Sequence, residues 1–177
     1  MIDIKIKLDD LDMYKELMKQ SAEVEVGYFD DKVYEGVDTP FYANVAKPNS
    51  KTAKNPMGTP RRFGRSKTVT AREVATFNEF GGGHTPPRPF VRYTKQKYTR
   101  NWIGFVQDDL PVTMDVKDTF TSLGKMIKGH LSDTVKAWSY PPNAPSTVKA
   151  KGFNNPLVDS GNMSDDFIEI RVNGSIV

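Results

Sequence analysis

The chain has 177 residues and no cysteine, which suits one ordinary domain and excludes disulfide frameworks, thiolate metal sites and cysteine nucleophiles. Hydrophobic residues make up 37% and charged residues 27%, so part of the chain is expected in surface loops, an extended arm or surface that a partner covers. The net charge of +3 is uneven: eight basic residues (Lys47, Lys51, Lys54, Arg61, Arg62, Arg65, Lys67 and Arg72) and no acidic one lie between Ala46 and Arg72, which leaves 17 basic against 22 acidic residues in an acidic body.

The opening MIDIKIKLDD has neither the cationic start nor the apolar stretch of a signal peptide, and no apolar run approaches the roughly 20 residues of a membrane span. A soluble, unexported protein without membrane contact is the expectation. In IDIKIKL, Ile2, Ile4, Ile6 and Leu8 alternate with polar residues, the pattern of a half-buried strand. DDLDMYKELMKQ then changes to helical spacing, with Asp9 and Asp10 where acids favour a helix N-terminus. EVEVGYFD returns to alternation, Val24, Val26 and Tyr28 sharing a face, and Gly27 within it predicts a bulge or a close backbone approach.

From Glu35 to Thr70 no period is sustained, and a long loop or arm is predicted, inserted in a single domain over residues 40–70. TAREVATFNEF predicts a short helix with Val74, Phe77 and Phe80 inward and Gly81 as its C-terminal cap. Gly82 and Gly83 then permit a turn, and Pro86, Pro87 and Pro89 predict an extended approach to the next helix, with Phe90 as its anchor. Arg88 and Arg92 flank that anchor, and Glu79 is the nearest acid with which they can pair.

After Pro89, the spacing of Phe90, Val91, Tyr98, Trp102, Phe105 and Val106 predicts a helix of about five turns. Trp102 is expected in its core, where truncation to Ala costs about 3 to 5 kcal/mol. A second long helix follows, capped by Asp115 with Asp118 three residues on, striped by Val116, Phe120, Leu123, Ile127, Leu131, Val135 and Trp138, and ended by Pro141 and Pro142. The tail reads as a loop, SYPPNAPSTVKAKGFNNPLVDSGNM, closed by a strand at DFIEIRV. The fold class is therefore α/β of the α+β type, a small mixed or antiparallel sheet packed against two long helices.

No catalytic signature emerges. The two histidines, His84 and His130, have no partner at metal-ligand spacing, and no metal or cofactor is expected. Asp108 with Asp109, and Asp165 with Asp166, are adjacent pairs whose side chains point in different directions and so do not converge on one atom. The Gly81–Gly83 run is followed by His-Thr-Pro-Pro where a phosphate loop has Gly-Lys-Ser/Thr, and proline removes the backbone donors that hold an anion. Asp159-Ser160-Gly161 is not the hydrolase nucleophile elbow.

The order of EVEVGYFD, VATFNEFGGG, TPPRPFVR, a long helix pair, NAPSTVKAKG and NPLVDSGNM resembles the small virion morphogenesis proteins of tailed bacteriophages, the neck, head-to-tail joining or tail completion proteins. The matching stretches are Val26 to Phe29, Asn78 to Gly81, Pro86 to Phe90 and Pro156 to Gly161. Pro40 to Thr70 is longer and more basic than that family's pattern. The resemblance implies a non-enzymatic subunit of a homo-oligomeric ring of six or twelve copies, located in the virion neck or tail and in the host cytoplasm during assembly. Its implied partners are neck, portal-adaptor and tail proteins, with DNA passing through the lumen without specific binding. Asp108, Asp109, Asp165 and Asp166 are candidates to face that lumen, because like charge keeps DNA off the wall. Arg88, Arg92, Glu79 and the basic segment from Lys47 to Lys67 are candidates for the subunit interface, since a closed ring needs two complementary surfaces per subunit. Neck and tail-terminator stations both stay open. Two other readings of the basic segment are a nucleic-acid arm of a DNA-binding accessory protein, weakened by its single aromatic Phe63, and a solvated loop.

Overall fold

The computed structural model describes residues 15–34, 69–82 and 85–177. The strand expected at Ile2–Leu8, the arm with Lys47, Lys51, Lys54, Arg61, Arg62, Arg65 and Lys67, and Gly83 and His84 lie outside the described residues. Residues 15–19 are helical, as DDLDMYKELMKQ predicts. The fold is of the α+β type.

A three-stranded antiparallel sheet has the order β1 (Val24–Gly27), β4 (Glu169–Val172), β5 (Ser175–Ile176). Val24 pairs with Val172 and Gly27 with Glu169 in unbroken register. The bulge or close approach expected at Gly27 is thus absent: its ladder is regular, and a Cβ there would meet nothing within 4 Å. Strands β4 and β5 are joined by Asn173 and Gly174, both at positive φ (51° and 78°), as a tight hairpin between right-twisted strands demands.

Helix α3 (Val116–Ala137) lies across this sheet, and Gly124 lets it come close, since a Cβ there would meet Ile170 Cγ2 at 2.5 Å and Val24 Cγ2 at 3.0 Å. Asp115 caps it as predicted, its Oδ1 accepting from the Asp118 amide at 3.0 Å. Of the expected stripe, Leu123, Leu131 and Val135 are buried and the rest half-buried. Helix α2 (Phe90–Thr113) packs along α3, its main neighbour among the described residues, and no described strand has comparable contact with it. Its expected stripe is corrected accordingly. Only Phe90 and Thr94 are buried, Val91 is exposed, and Tyr98, Trp102, Phe105 and Val106 are half-buried, because a helix with one neighbour buries a narrow seam.

A two-stranded antiparallel ribbon, β2 (Val33–Tyr34) with β3 (Val69–Thr70), brings together the two ends of the basic excursion. Thr70 then starts α1 (Ala71–Phe80) through a capping box: its Oγ1 accepts from the Glu73 amide, and its own amide donates to Glu73 Oε2. Arg72, the last cation of the basic segment, is 3.0 Å from Asp30. The tail, where the sequence predicts a loop, holds a short helix, α4 (Pro145–Lys151), with proline at its start and Gly152 at its left-handed end.

The main core gathers where α1, the start of α2 and the end of α3 meet β1 and the loop before β4. Phe90, Val135 and Ile168 are at most 1% exposed there, and each contributes about 1.5 to 3 kcal/mol by burial. Tyr28 meets Phe90 edge-on at 6.0 Å and donates its hydroxyl to the Met163 carbonyl at 2.5 Å. No helix among the described residues is long and apolar enough to cross a membrane.

Candidate functional site

Glycine and proline make a corner between α1 and α2, and each does so differently. Gly81 has φ 75° and packs so closely on the returning chain that a Cβ would meet Pro87 N at 2.8 Å. Gly82 and Thr85 exchange both backbone hydrogen bonds, at 3.0 and 2.9 Å. The Gly81 and Gly82 amides are therefore occupied by Phe77 and Thr85, and neither is available to a phosphate. At Pro89 the extended approach to the helix that the prolines predict is interrupted. Pro89, at φ −77° and ψ 58°, sits in an inverse γ-turn in which the Phe90 amide donates to the Arg88 carbonyl at 2.8 Å.

Glu79, 5% exposed, reaches from α1 to the first turn of α2. It accepts from the Val91 amide at 2.9 Å, the Arg92 amide at 3.3 Å and Arg92 Nε at 2.8 Å. A carboxylate is favoured at a helix N-terminus, where amides lack partners and the dipole is positive. Phe80, expected inward, is 64% exposed and carries the Arg92 guanidinium over its ring at 5.1 Å. The reason is the turn of the helix: Glu79, next in order, takes the inward direction to reach α2.

The two arginines thus part company. Arg92 takes Glu79, and Arg88 takes no carboxylate among the described residues. Arg88 is 5% exposed and donates from Nε to the Pro141 carbonyl (3.2 Å), from Nη1 to Asn78 Oδ1 (3.3 Å) and from Nη2 to the Pro142 carbonyl (3.4 Å). Burial lowers its pKa from the ordinary arginine value. Asn78 is held in turn by its amide donation to the Val74 carbonyl at 2.9 Å.

Arg88 stands in the wall of a cleft of about 340 Å³. Its walls are Val74, Phe77 and Asn78 of α1, Thr85 and Pro86 of the corner, Thr147 and Lys151 of α4, Pro156 to Ser160 and Met163 of the late loop, and Tyr34 and Val69 at the root of the arm. Lys151 donates to the Asn155 carbonyl at 2.9 Å and to the Val158 carbonyl. Burial lowers its pKa too, opposed by Asp159 and reinforced by Arg88.

Comparison with protein-family models, with curated proteins and with solved structures returns no match. The corner and the cleft therefore have to be understood from their own geometry.

The four candidate acids do not form one patch. Asp109 accepts from Thr119 Oγ1 at 2.8 Å near the α2–α3 turn, while Asp165 accepts from Lys136 Nζ at 2.7 Å and Ser132 Oγ at 3.2 Å, about 20 Å further along α3. Those bonds, the Lys136 one first, lower the Asp165 pKa. Asp108 and Asp166 are exposed. His130 stacks on Tyr98 at 3.8 Å and accepts from Trp102 Nε1 at 2.9 Å; burial is the main cause that lowers its pKa. Among the described residues no three metal-ligating side chains come together.

Sequence reasoning missed Asn78, Lys151, Asn155 and Met163 as site residues. Asn155 Oδ1 accepts from the Leu157 and Val158 amides, both at 3.1 Å, and shapes the late loop. Its place before Pro156 was a usable signal, since asparagine side chains cap their own downstream backbone in turns. Lys151 and Met163 gave none, because only the fold brings them to the cleft.

Proposed function

We propose that this chain is a non-enzymatic structural subunit of a tailed-phage virion, forming a ring at the head-to-tail junction that helps join tail to head. The observation that carries the reading is convergence. The four stretches on which the resemblance rests are far apart in sequence, yet Val26–Phe29 supplies Tyr28 against Phe90, Asn78–Gly81 and Pro86–Phe90 build the corner, and Pro156–Gly161 forms the facing wall of the same cleft.

The corner also suits a ring subunit physically. It fixes the direction in which α2 leaves the body, and α2 carries a long, poorly covered surface: Ile103 and Val112 are exposed on it. A head-to-tail interface needs two different complementary surfaces, and the exposed face of α2 together with the unequal charge of the chain, a basic segment in an otherwise acidic sequence, supports that reading. DNA then passes the subunit without specific contacts, and the acidic residues stay on the body.

Virions assembled without this protein test the proposal by electron microscopy. Filled heads beside separate, finished tails are the expected outcome. Overlong tails would move the protein to the tail terminator ring, and complete infectious particles at normal yield would overturn a structural role in the virion.

A further inference from the structure

Buried cations normally come with a carboxylate, because moving an unpaired charge out of water is costly and the cost is recovered only by pairing and hydrogen bonds. Among the described residues Arg88 breaks that pattern. Its three acceptors are neutral: two proline carbonyls and an asparagine. A guanidinium carries more N–H donors than those three bonds use, and its planar fork matches a carboxylate. A few side chains away the second cation, Lys151, gives its hydrogen bonds to carbonyls and lies over the Phe153 ring at 5.0 Å, with the charge of Asp159 acting on it from a distance. The acid of the cleft, Asp159, is exposed and makes no ion pair with either. The rest of the lining is mostly apolar (Val69, Val74, Phe77, Leu157), with hydroxyl-bearing (Thr85, Thr147) and amide (Asn143, Asn162) side chains among it.

We infer that the cleft is a docking site for an extended acidic segment of a partner protein, an aspartate or glutamate flanked by apolar residues, with Arg88 as the carboxylate-binding side chain and Lys151 beside it. The charge is complementary, and the apolar walls explain why a peptide fits better than a bare anion. The cleft's volume admits a few side chains, which is the scale of one anchor and its neighbours rather than of a folded domain. Tyr34 and Val69, paired in the ribbon on either side of residues 35–68, put the docked segment beside the two ends of the basic stretch of sequence. This assignment does not depend on the ring reading. It concerns an isolated chain, so either can fail while the other stands.

The test is a titration of the full chain followed by NMR at the Arg88 Nε–H resonance, at constant ionic strength. The probes are the blocked tripeptide Leu-Asp-Leu, its Leu-Asn-Leu counterpart and inorganic phosphate. The expected result is a saturable shift with the aspartate peptide, about tenfold weaker with the asparagine peptide, as a charge-assisted fork demands. Equal binding of the two peptides, or no saturable shift, overturns the inference. Phosphate binding as tightly as the aspartate peptide would replace a peptide site by a simple anion site, and so overturns it too. Lys151→Gln, which leaves the Arg88 clamp in place, is expected to weaken the aspartate peptide several-fold, with spectral changes confined to the loop it bonds and the core resonances of Phe90 and Val135 unmoved; unchanged affinity counts against the site as drawn.

Discussion

The two ends of the α2–α3 pair are joined by different chemistry. At the corner end Phe90, Val135 and Ile168 are sealed from water, and the charged Glu79 is itself buried to tie α1 to α2. At the far end the helices are held by polar groups: Thr113 bonds Thr119, Thr119 bonds Asp109, and the Gln20 side chain bridges the Met114 carbonyl and the Val116 amide. Val112 stands 82% exposed there. Packing at the corner fixes where α2 points; directional bonds, each worth about 0.5 to 1.5 kcal/mol net, keep the far end in register. Position is set from one end of the helix only.

The most direct way to break that asymmetry is to truncate one aromatic at the corner and one midway along α2. Phe90→Ala removes a fully buried ring and is expected to cost about 3 to 5 kcal/mol in urea unfolding. Trp102→Ala, midway along α2, removes a half-buried ring and one hydrogen bond to His130, and is expected to cost no more than about half as much. Equal losses would mean that α2 is anchored along its length. A smaller effect separates the two faces of α3. Gly124→Ala forces a methyl against Ile170 and Val24 and is expected to destabilise by about 1 to 3 kcal/mol. Gly129→Ala, five residues on, meets nothing within 4 Å and is expected to stabilise by up to about 1 kcal/mol through helix propensity. Melting temperatures that move in opposite directions check both.

Much of the fold was legible where a residue acts through its immediate neighbours. Asp115 with Asp118 and Gly81 after α1 are local signals, and each cap formed where its chemistry predicts. The Asn173-Gly174 turn and the Pro145 to Gly152 bracket of α4 carried equally local signals that the reading passed over. What could not be read is which face of α2 has a neighbour. Phe80, Val91 and Trp102 have the right spacing for burial, but spacing reports a period and not the number of layers stacked on a helix. The site was legible by half: Glu79 with Arg92 is a neighbour pair in sequence, whereas the cleft joins Asn78, Arg88, Lys151 and Met163 across loops whose path no local pattern encodes.

Tyr28 gives the corner an alkaline limit and a colour. Its phenol is buried against Phe90 and bonded to Met163, and burial, with Tyr34 and Asp165 adding to it, pushes its pKa well above the ordinary tyrosine value. The protonated form is favoured in the folded chain, so the unfolded chain gives up this proton first. The stability it contributes is complete below about pH 10 and declines as the pH rises beyond. Phenolate absorbs in the near ultraviolet where phenol does not. The absorbance of this one side chain therefore appears only as the corner opens, and an alkaline pH jump turns it into an internal clock for that event.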